Sequence, residues 1–418
     1  MTRRLILILL INVLLSMVTF GQVSVRLFSS QSPESAVFSV TEGRYELIAF
    51  NGRNLSVNKS ENVIISRYNG KLAVKTRSEN GFICDSLLFL GKTRNDSFSL
   101  RINGHIPVRQ YYSGDLKCFP DLGTLVLINN CDVESYVSGV VKAEGGSGKN
   151  KEYFKTQAII ARTYMYKYFN RHLSDNYNVC DNTHCQAFNG LSSDTLINKA
   201  ALETKGLVIL SQDSTIISSA FHSNCGGETS TSGDVWLASQ PYLKSVADPY
   251  CLSSRNARWE KRLSLNEWLG LMKKLGYEGQ TIDPAAFNFI QKSRLIDYRT
   301  GSFTIPLRAV RSEMNLRSTF FSVLADGDSI ILRGRGYGHG VGLCQEGAMS
   351  MAENGLNWNK IINFYYFNVL VTDINYAAIL PNQPYRASFT SQPPLWNSMN
   401  SPPPDSYRDP SLRSREGE

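Results

Sequence analysis

The sequence lacks several features that define other classes of protein. Beyond the N-terminal segment, no stretch has the ~20 apolar residues that a membrane-spanning helix needs. No run of Lys and Arg resembles a nucleic-acid-binding arm, and neither a DNA- or RNA-binding motif nor an internal repeat is present. Histidine is scarce, with five in 418 residues. Nucleic acid is therefore not expected as a partner, and the membrane is expected only through the N-terminal segment.

What is present is typical of a soluble globular protein. Hydrophobic residues make up 42% of the chain and charged residues 19%. The length suits two domains, or one large domain with an insertion. The formal net charge of +8 favours acidic partners. Because the basic residues are scattered, an acidic polysaccharide is favoured over nucleic acid.

The N-terminus predicts export. Arg3 and Arg4 precede an aliphatic run over residues 5–15. Thr19 and Gly21 are small enough for the subsites of a signal peptidase, so residues 1–21 are expected to be a cleaved signal peptide. An uncleaved membrane anchor is the alternative. The predicted location is periplasmic or extracellular, where the eight cysteines, all beyond residue 21, could form disulfides.

The patterns along the chain predict an α+β protein. Alternating runs and four Asn-Gly turn signals indicate a β-rich region over residues 22–110. A mixed helix and strand domain is expected over 111–380. The tail from Pro381 holds eight of the 15 prolines and is expected to be disordered over 381–418.

Within the mixed domain, capping signals and apolar spacing locate the elements. Asp132 is a good N-cap, and the glycines at 145 and 146 end the helix that it begins. A capping box runs from Ser264 to Glu267. The remaining predictions are a helix over Lys151–Asn170, a loop-rich stretch over 172–260, strands over 302–333, and short helices near 343–354 and 358–367.

Glu144 is the strongest candidate for a catalytic residue. It shares one helical face with five apolar or aromatic residues, at positions 133, 136, 137, 140 and 141. Burial there raises the pKa of a carboxyl group, because desolvation disfavours the charged form. A general acid working near neutral pH needs such a pKa. The alternative is a helix-end glutamate that points into solvent.

Three histidines lie in unusual local sequences: His184 between cysteines, His222 before Cys225-Gly-Gly, and His339 among five glycines. Each could instead be a satisfied structural residue in a tight turn. Cys180 and Cys185, with His184 and an upstream His172, could bind a structural zinc ion, since thiolate and imidazole are its usual ligands. A Cys180–Cys185 disulfide is the alternative, and Cys225 could pair with Cys251.

Five blocks in order resemble the SpoIID/LytB family of stage II sporulation protein D and amidase enhancers. The segments are 136–144 (YVSGVVKAE), 155–164 (KTQAIIARTY), 183–186 with 225–227, 241–244, and 338–348 (GHGVGLCQEGA). Together they extend over about residues 100–370. Where family members often carry Met-Pro after the catalytic Glu, this chain has Gly145 and Gly146.

The resemblance implies a lytic transglycosylase acting on peptidoglycan glycan strands, in which Glu144 is the catalytic acid and base. One carboxyl group suffices, because the C6 hydroxyl of the substrate attacks C1 and closes a 1,6-anhydro ring. No cofactor is required for this chemistry. The resemblance also implies a zinc site near His172, Cys180 and Cys185. The residues expected to bind substrate are Arg162, His184, Gln186, Tyr242, Lys244, His339 and Gln345. The alternative for Arg162 is a structural salt bridge within the helix pair, and Tyr242 could equally be a packing residue.

Three other functions remain open at this point. A non-catalytic wall-binding protein that activates an N-acetylmuramoyl-L-alanine amidase would need the groove but not the acid. A zinc hydrolase would use His184, His222 or His339. An exported scaffold protein would need none of the five blocks.

Overall fold

A computed structural model describes residues 21–77, 80–103, 109–146, 148–236 and 238–379. The predicted signal peptide, but for Gly21, and the predicted tail lie outside these residues. Within them, no helix is both long enough and apolar enough to cross a membrane.

Two largely antiparallel sheets form most of the N-terminal half. One has seven strands in the order β13-β1-β12-β11-β8-β3-β4, and the other has six in the order β10-β9-β2-β5-β6-β7. The strands are β1 Gln22–Leu27, β2 Ser35–Glu42, β3 Arg44–Ala49, β4 Asn54–Asn58, β5 Asn62–Tyr68, β6 Lys71–Lys75, β7 Phe82–Cys84, β8 Leu87–Gly91, β9 Ser97–Ile102, β10 Arg109–Ser113, β11 Asp115–Asp121, β12 Thr124–Asp132 and β13 Val179–Cys180. The β-rich N-terminal region is confirmed.

Side-chain alternation packs the two sheets together. Val23, Val25 and Leu27 of β1 are buried, while the residues between them are partly exposed. Phe38 of β2 stacks on Phe89 of β8, with ring centroids 4.0 Å apart, so one core joins the two sheets. Only one pairing in the seven-stranded sheet is parallel, that of β1 with β13.

One of the predicted Asn-Gly turns shows why a hairpin closes at that point of the chain. Asn69 and Gly70 join β5 to β6, with φ angles of 48° and 74°. A two-residue turn with both φ angles positive matches the twist of the flanking strands, and Asn-Gly is the pair that tolerates it best.

The helices that the structure describes begin after β12. They are α1 Val133–Glu144, α2 Lys151–Lys167, α3 Thr195–Glu203, α4 Ser232–Val235, α5 Leu265–Lys274, α6 Leu307–Met314, α7 Gln345–Glu353, α8 Trp358–Tyr365 and α9 Ile374–Ile379. Asp132 caps α1 by accepting hydrogen bonds from the backbone N–H groups of Glu134 and Ser135, as predicted. The Ser264–Glu267 capping box of α5 is also confirmed.

The remaining strands have two to seven residues, and the three longest belong to a second core around Trp268. They are β14 Leu207–Leu210, β15 Phe221–His222, β16 Arg258–Ser264, β17 Asp297–Thr300, β18 Phe303–Pro306, β19 Phe321–Asp326, β20 Ser329–Arg335, β21 Leu343–Cys344 and β22 Leu370–Asp373. Three single-turn 3₁₀ helices add to them: Leu173–Asp175, Pro249–Cys251 and Pro284–Phe287.

The hydrophobic residues separate into two cores. The larger runs from Val23 to Ala377 and includes both sheets and α1 to α3. The smaller is built within residues 259–332 around Trp268, which is fully buried. Since β16 pairs with β20, this insertion begins and ends on neighbouring strands.

Two expectations need correction. The boundary between residues 110 and 111 falls inside β10, and the larger core continues across it, so the regions on either side share one core. The stretch 302–333 is not all strand, because α6 lies within it. Its N-cap position is a proline without a capping side chain, so the usual signal for a helix start is missing.

Candidate active site

Glu144 is the last residue of α1, and its side chain is half-buried. One carboxylate oxygen accepts a hydrogen bond from the backbone N–H of Ala187 at 2.6 Å. The other oxygen is buried and has no hydrogen-bond partner. Desolvation by burial raises the pKa of Glu144 to about 7, although the Ala187 N–H opposes this rise. The side chain therefore does not point into bulk water.

The backbone that carries Glu144 is tied in place on both sides of the helix end. Gln345 Nε2 donates a hydrogen bond to the Glu144 carbonyl oxygen at 2.7 Å. The hydroxyl of Tyr153 donates to the carbonyl of Gly145 at 2.7 Å. Gly146 has a φ of 66°, which favours glycine. Two side chains thus secure a helix end whose sequence alone is flexible.

Gln186 contributes a second polar atom without a partner. It is 2% exposed, and its Oε1 accepts a hydrogen bond from the Tyr136 hydroxyl at 3.3 Å. Its Nε2 is buried without a partner, as is one oxygen of Glu144. Buried polar groups are nearly always paired in native proteins, so each of these two atoms is a candidate to bind a ligand or a water molecule.

The loop that presents Ala187 also carries a cluster of four metal-binding side chains. Their ligand atoms lie within 4.8 Å of one another. Cys185 Sγ is 3.5 Å from His172 Nε2 and 3.8 Å from His184 Nδ1, and Cys180 Sγ is 3.7 Å from the same His184 nitrogen. Two thiols and two imidazoles are a zinc ligand set. His184, predicted to bind substrate, thus lies with the three predicted metal ligands.

His222 and His339 form a second group, with ring centroids 5.5 Å apart. Val341 holds both rings: its carbonyl lies 3.2 Å from His222 Nδ1, and its N–H donates to His339 Nδ1 at 3.0 Å. This pattern makes His222 Nε2, which has no partner, an acceptor. Burial lowers the pKa of His339 to about 4 and that of His222 well below its usual value, so both are neutral at pH 7.

Gln345 links these two groups. It follows Cys344, which pairs with His222 in the parallel strands β15 and β21. The same residue bonds the carbonyl of Glu144. The helix α7 therefore begins between the histidine pair and the acid. Among the described residues, no hydrogen bond joins Glu144 to either of these histidines.

Arg162 lies elsewhere, and its predicted role needs correction. It is fully buried and forms an ion pair with Glu134. Its remaining donors bond the carbonyl oxygens of Leu207 and Ala201. A guanidinium enclosed in this way cannot reach a polymer substrate. It joins α1, α2, α3 and β14.

Tyr242 and Lys244 differ in exposure. Tyr242 is 5% exposed, and its hydroxyl accepts a hydrogen bond from the N–H of Ser218 at 2.9 Å, which is the environment of a packing residue. Lys244 is exposed, and its ammonium lies 5.3 Å from the ring centroid of Phe367. Of the two, only Lys244 can contact a ligand in solvent.

Two groups at the site were difficult to identify from the sequence. The Ala187 N–H is a backbone group that any residue but proline supplies, so no pattern reveals it. Trp236 is 37% exposed, and its ring centroid is 5.4 Å from that of His339. An exposed tryptophan in a segment rich in small polar residues is the one hint that the sequence offered.

A depression of about 430 Å³ lies at the second core and is lined by Glu260, Arg262 and other residues. It contains none of the groups of the candidate site.

The fold and the site define an α+β protein in which a β-rich frame carries a helix ending in one buried acid. Residues 121–210 match the SpoIID family, described as stage II sporulation protein. This segment contains α1 with Glu144 at its end, α2, and the loop that presents the Ala187 N–H to Glu144. The resemblance to the stage II sporulation protein D and amidase enhancer family is confirmed by this match and by the relatives that follow.

Three relatives extend the similarity beyond that segment. An uncharacterized protein of Brachyspira hyodysenteriae is 28% identical over 269 residues, 63% of this chain and 73% of that protein. Stage II sporulation protein D of Bacillus subtilis is 27% identical over 264 residues, 59% of this chain and 76% of that protein. The amidase enhancer of B. subtilis is 28% identical over 289 residues, 56% of this chain but only 40% of the enhancer.

Proposed function

We propose that the protein is an exported lytic transglycosylase that cleaves glycan strands of peptidoglycan, with Glu144 as its single acid and base. The observation that carries this proposal is the environment of Glu144. Its carboxyl group is buried, has one oxygen without a partner and has a pKa raised to about 7. Such a group holds a proton at neutral pH and can also release it.

In the proposed reaction, the protonated Glu144 gives its proton to the glycosidic oxygen as the bond from that oxygen to C1 breaks. The carboxylate then accepts the proton of the C6 hydroxyl of the same sugar, whose oxygen attacks C1. The product is a 1,6-anhydro ring, and no water is consumed. The attacking hydroxyl is already on the substrate, so proximity replaces a second enzyme carboxylate.

The protein offers several groups that can hold a sugar chain. The unpaired Nε2 of Gln186 and the unpaired Nε2 of His222 supply one donor and one acceptor. Exposed Trp236 can stack on a sugar face. Lys244 can pair with the lactyl carboxylate of a peptide-free muramic acid, which would make peptide-stripped strands the preferred substrate.

The test is digestion of purified, peptide-stripped glycan with no amidase present, followed by mass spectrometry for anhydro ends. Glu144→Gln should fold normally and produce none. Glu353→Gln is the matched control, because Glu353 is an exposed glutamate that also ends a helix. Anhydro ends formed at the wild-type rate by Glu144→Gln would reject the assignment.

A second candidate function rests on the name of one relative, the amidase enhancer of B. subtilis. In this role the protein would bind wall glycan and stimulate an amidase without cleaving the strand. Glu144→Gln would then stimulate a cell-wall amidase as well as the wild type does. Assays with and without amidase on the same substrate distinguish the two functions.

The cluster of His172, Cys180, His184 and Cys185 is proposed to hold a structural zinc ion. The donor set fits zinc, and the four ligand atoms are close enough for one ion. Bound there, the metal would order the loop that begins at β13 and presents Gln186 and the Ala187 N–H to Glu144. It takes no part in the proton transfers.

A further inference from the structure

A second cluster of ligand side chains lies inside the larger core. It consists of Cys225, Asp248, Cys251 and Cys344, all buried, with ligand atoms within 4.8 Å of one another. Cys225 Sγ lies 3.4 Å from Cys251 Sγ and 3.2 Å from the Asp248 carboxylate. The four residues come from three separate segments of the chain, which the fold brings to one point.

The arrangement differs from that of the other buried cysteines. Cys84, Cys118 and Cys131 are also buried, as cysteines in cores often are, but none of them belongs to a group of three or more possible metal ligands among the described residues. Here three thiols surround a buried carboxylate, and none of the ion pairs among the described residues includes Asp248. A carboxylate, or a thiol that has lost its proton, is costly to bury without a cation, because the charged form loses its hydration. A bound cation removes that cost.

We infer that Cys225, Cys251, Cys344 and Asp248 bind a structural Zn²⁺ ion, separate from the zinc proposed at the His172 cluster. Three thiolates and one carboxylate form a tetrahedral set that suits zinc and does not suit Mg²⁺ or Ca²⁺. With metal–sulfur bonds of ~2.3 Å, tetrahedral geometry puts sulfurs ~3.8 Å apart, close to the spacing seen. A multi-iron cluster would hold its sulfurs farther apart.

The surroundings of the cluster resemble the outer shell of a metal site. Cys344 is the N-cap of α7, and its sulfur accepts backbone hydrogen bonds from Cys225 at 3.3 Å and Gly347 at 3.4 Å. Such donors at a helix N-terminus favour a thiolate. The hydroxyl of Tyr365 donates to Asp248 at 2.9 Å. Outer-shell donors of this kind orient metal ligands.

The space around the carboxylate is closed. A side chain at Gly347 would place its Cβ 2.4 Å from an Asp248 oxygen and 2.3 Å from the Tyr365 hydroxyl. The guanidinium of Arg294, which is partly buried, donates to the Cys225 carbonyl oxygen at 2.6 Å. One Zn²⁺ with four anionic ligands carries two negative charges, and this arginine offsets part of them.

The inferred ion would fix the start of α7. Cys344 pairs with His222 and precedes Gln345, which bonds the carbonyl of Glu144. The metal would therefore hold together the segments that carry the histidine pair and the acid. The inference does not require glycan cleavage and is tested without it.

The experiment measures zinc in the purified, exported chain. Wild type should contain two zinc ions per chain. X-ray absorption should show five sulfur ligands in total, two on one ion and three on the other. Cys180→Ser/Cys185→Ser, which removes the loop site, should keep one zinc with three sulfurs. Cys344→Ser should keep one zinc with two sulfurs, and Cys84→Ser, a buried cysteine outside both sites, should keep two.

The wild-type measurement decides the question even where a variant does not fold. A single zinc with two sulfur ligands would overturn the inference, and so would a Cys225–Cys251 disulfide in the unreduced protein. Loss of all zinc in a folded Cys180→Ser/Cys185→Ser chain would also overturn it.

Discussion

At the scale of single residues, the environment of Glu144 links catalysis to stability. A carboxyl group whose pKa is raised in the folded state favours folding below its unfolded pKa, near 4.5, and loses that contribution as the pH rises through about 7. Above pH 7 the folded protein must bury a charge that the unfolded chain exposes to water. Near neutral pH, where Glu144 is proposed to act, its ionisation should therefore lower the free energy of unfolding.

Glu144→Gln is expected to stabilise the protein at pH 8 by about 1–3 kcal/mol, because glutamine cannot ionise and keeps the acceptor for the Ala187 N–H. The gain should shrink as the pH falls and vanish below about pH 4.5. Urea denaturation at several pH values, with Glu353→Gln as control, measures it. A pH-independent difference would show that burial does not raise this pKa.

The proposed activity should follow the same titration. Cleavage of stripped glycan is expected to fall about tenfold per pH unit above pH 7, because the fraction of protonated Glu144 falls in that way. The measurement is kcat/KM against pH on purified strands. A rate that stays constant to pH 9 would contradict a protonated carboxyl group as the acid.

At the scale of elements, the contact between α1 and α7 positions the acid. Gln345→Leu removes the hydrogen bond to the Glu144 carbonyl and should lower cleavage about tenfold while the chain still folds. Gln212→Leu, at an exposed glutamine, is the control.

A purely structural role for Gln345 would lower the amount of folded enzyme and leave its pH profile unchanged. Loosening the helix end should instead let water reach Glu144, so the pH above which activity falls should move downward. An unchanged profile in Gln345→Leu would argue against positioning.

The sequence predicted local features well at this scale. The Asp132 cap, the apolar stripe of α1 and the Ser264 capping box all follow from interactions within one or two turns of chain. Helix α6 was missed because its first turn lacks a capping side chain. Proximity in the sequence suggested His172, Cys180, His184 and Cys185 as one ligand set, but it could not show whether His184 faces the two sulfurs or a substrate.

At the scale of the whole molecule, the two cores should respond separately to damage. Trp268 is the largest fully buried side chain and lies in the smaller core. Trp268→Ala should destabilise that core by about 3–5 kcal/mol. Hydrogen exchange should then increase in peptides from 258–335 and stay unchanged in those from 22–132. Equal increases in both regions would mean that the cores unfold as one unit.

Contacts between distant segments were beyond sequence reasoning. Arg162 sits in a family-like block and was expected to bind substrate, with a structural salt bridge within the helix pair as the alternative; only the packing of α1 against α2 identifies Glu134 as its partner. The boundary at 110/111 was misplaced for a similar reason. Strands on its two sides pair with each other, as β1 and β12 do, and local composition does not reveal such pairing.

The position of Glu144 at the last residue of α1 has an electrostatic consequence. The aligned peptide dipoles of a helix leave about half a negative charge at its C-terminus. That field acts in the same direction as burial and helps the acid to keep its proton. It also favours a sugar that becomes positively charged at C1 as the glycosidic bond breaks. The negative end of α1 would then stabilise two species in turn: the protonated Glu144 before the transition state, and the positively charged sugar in the transition state.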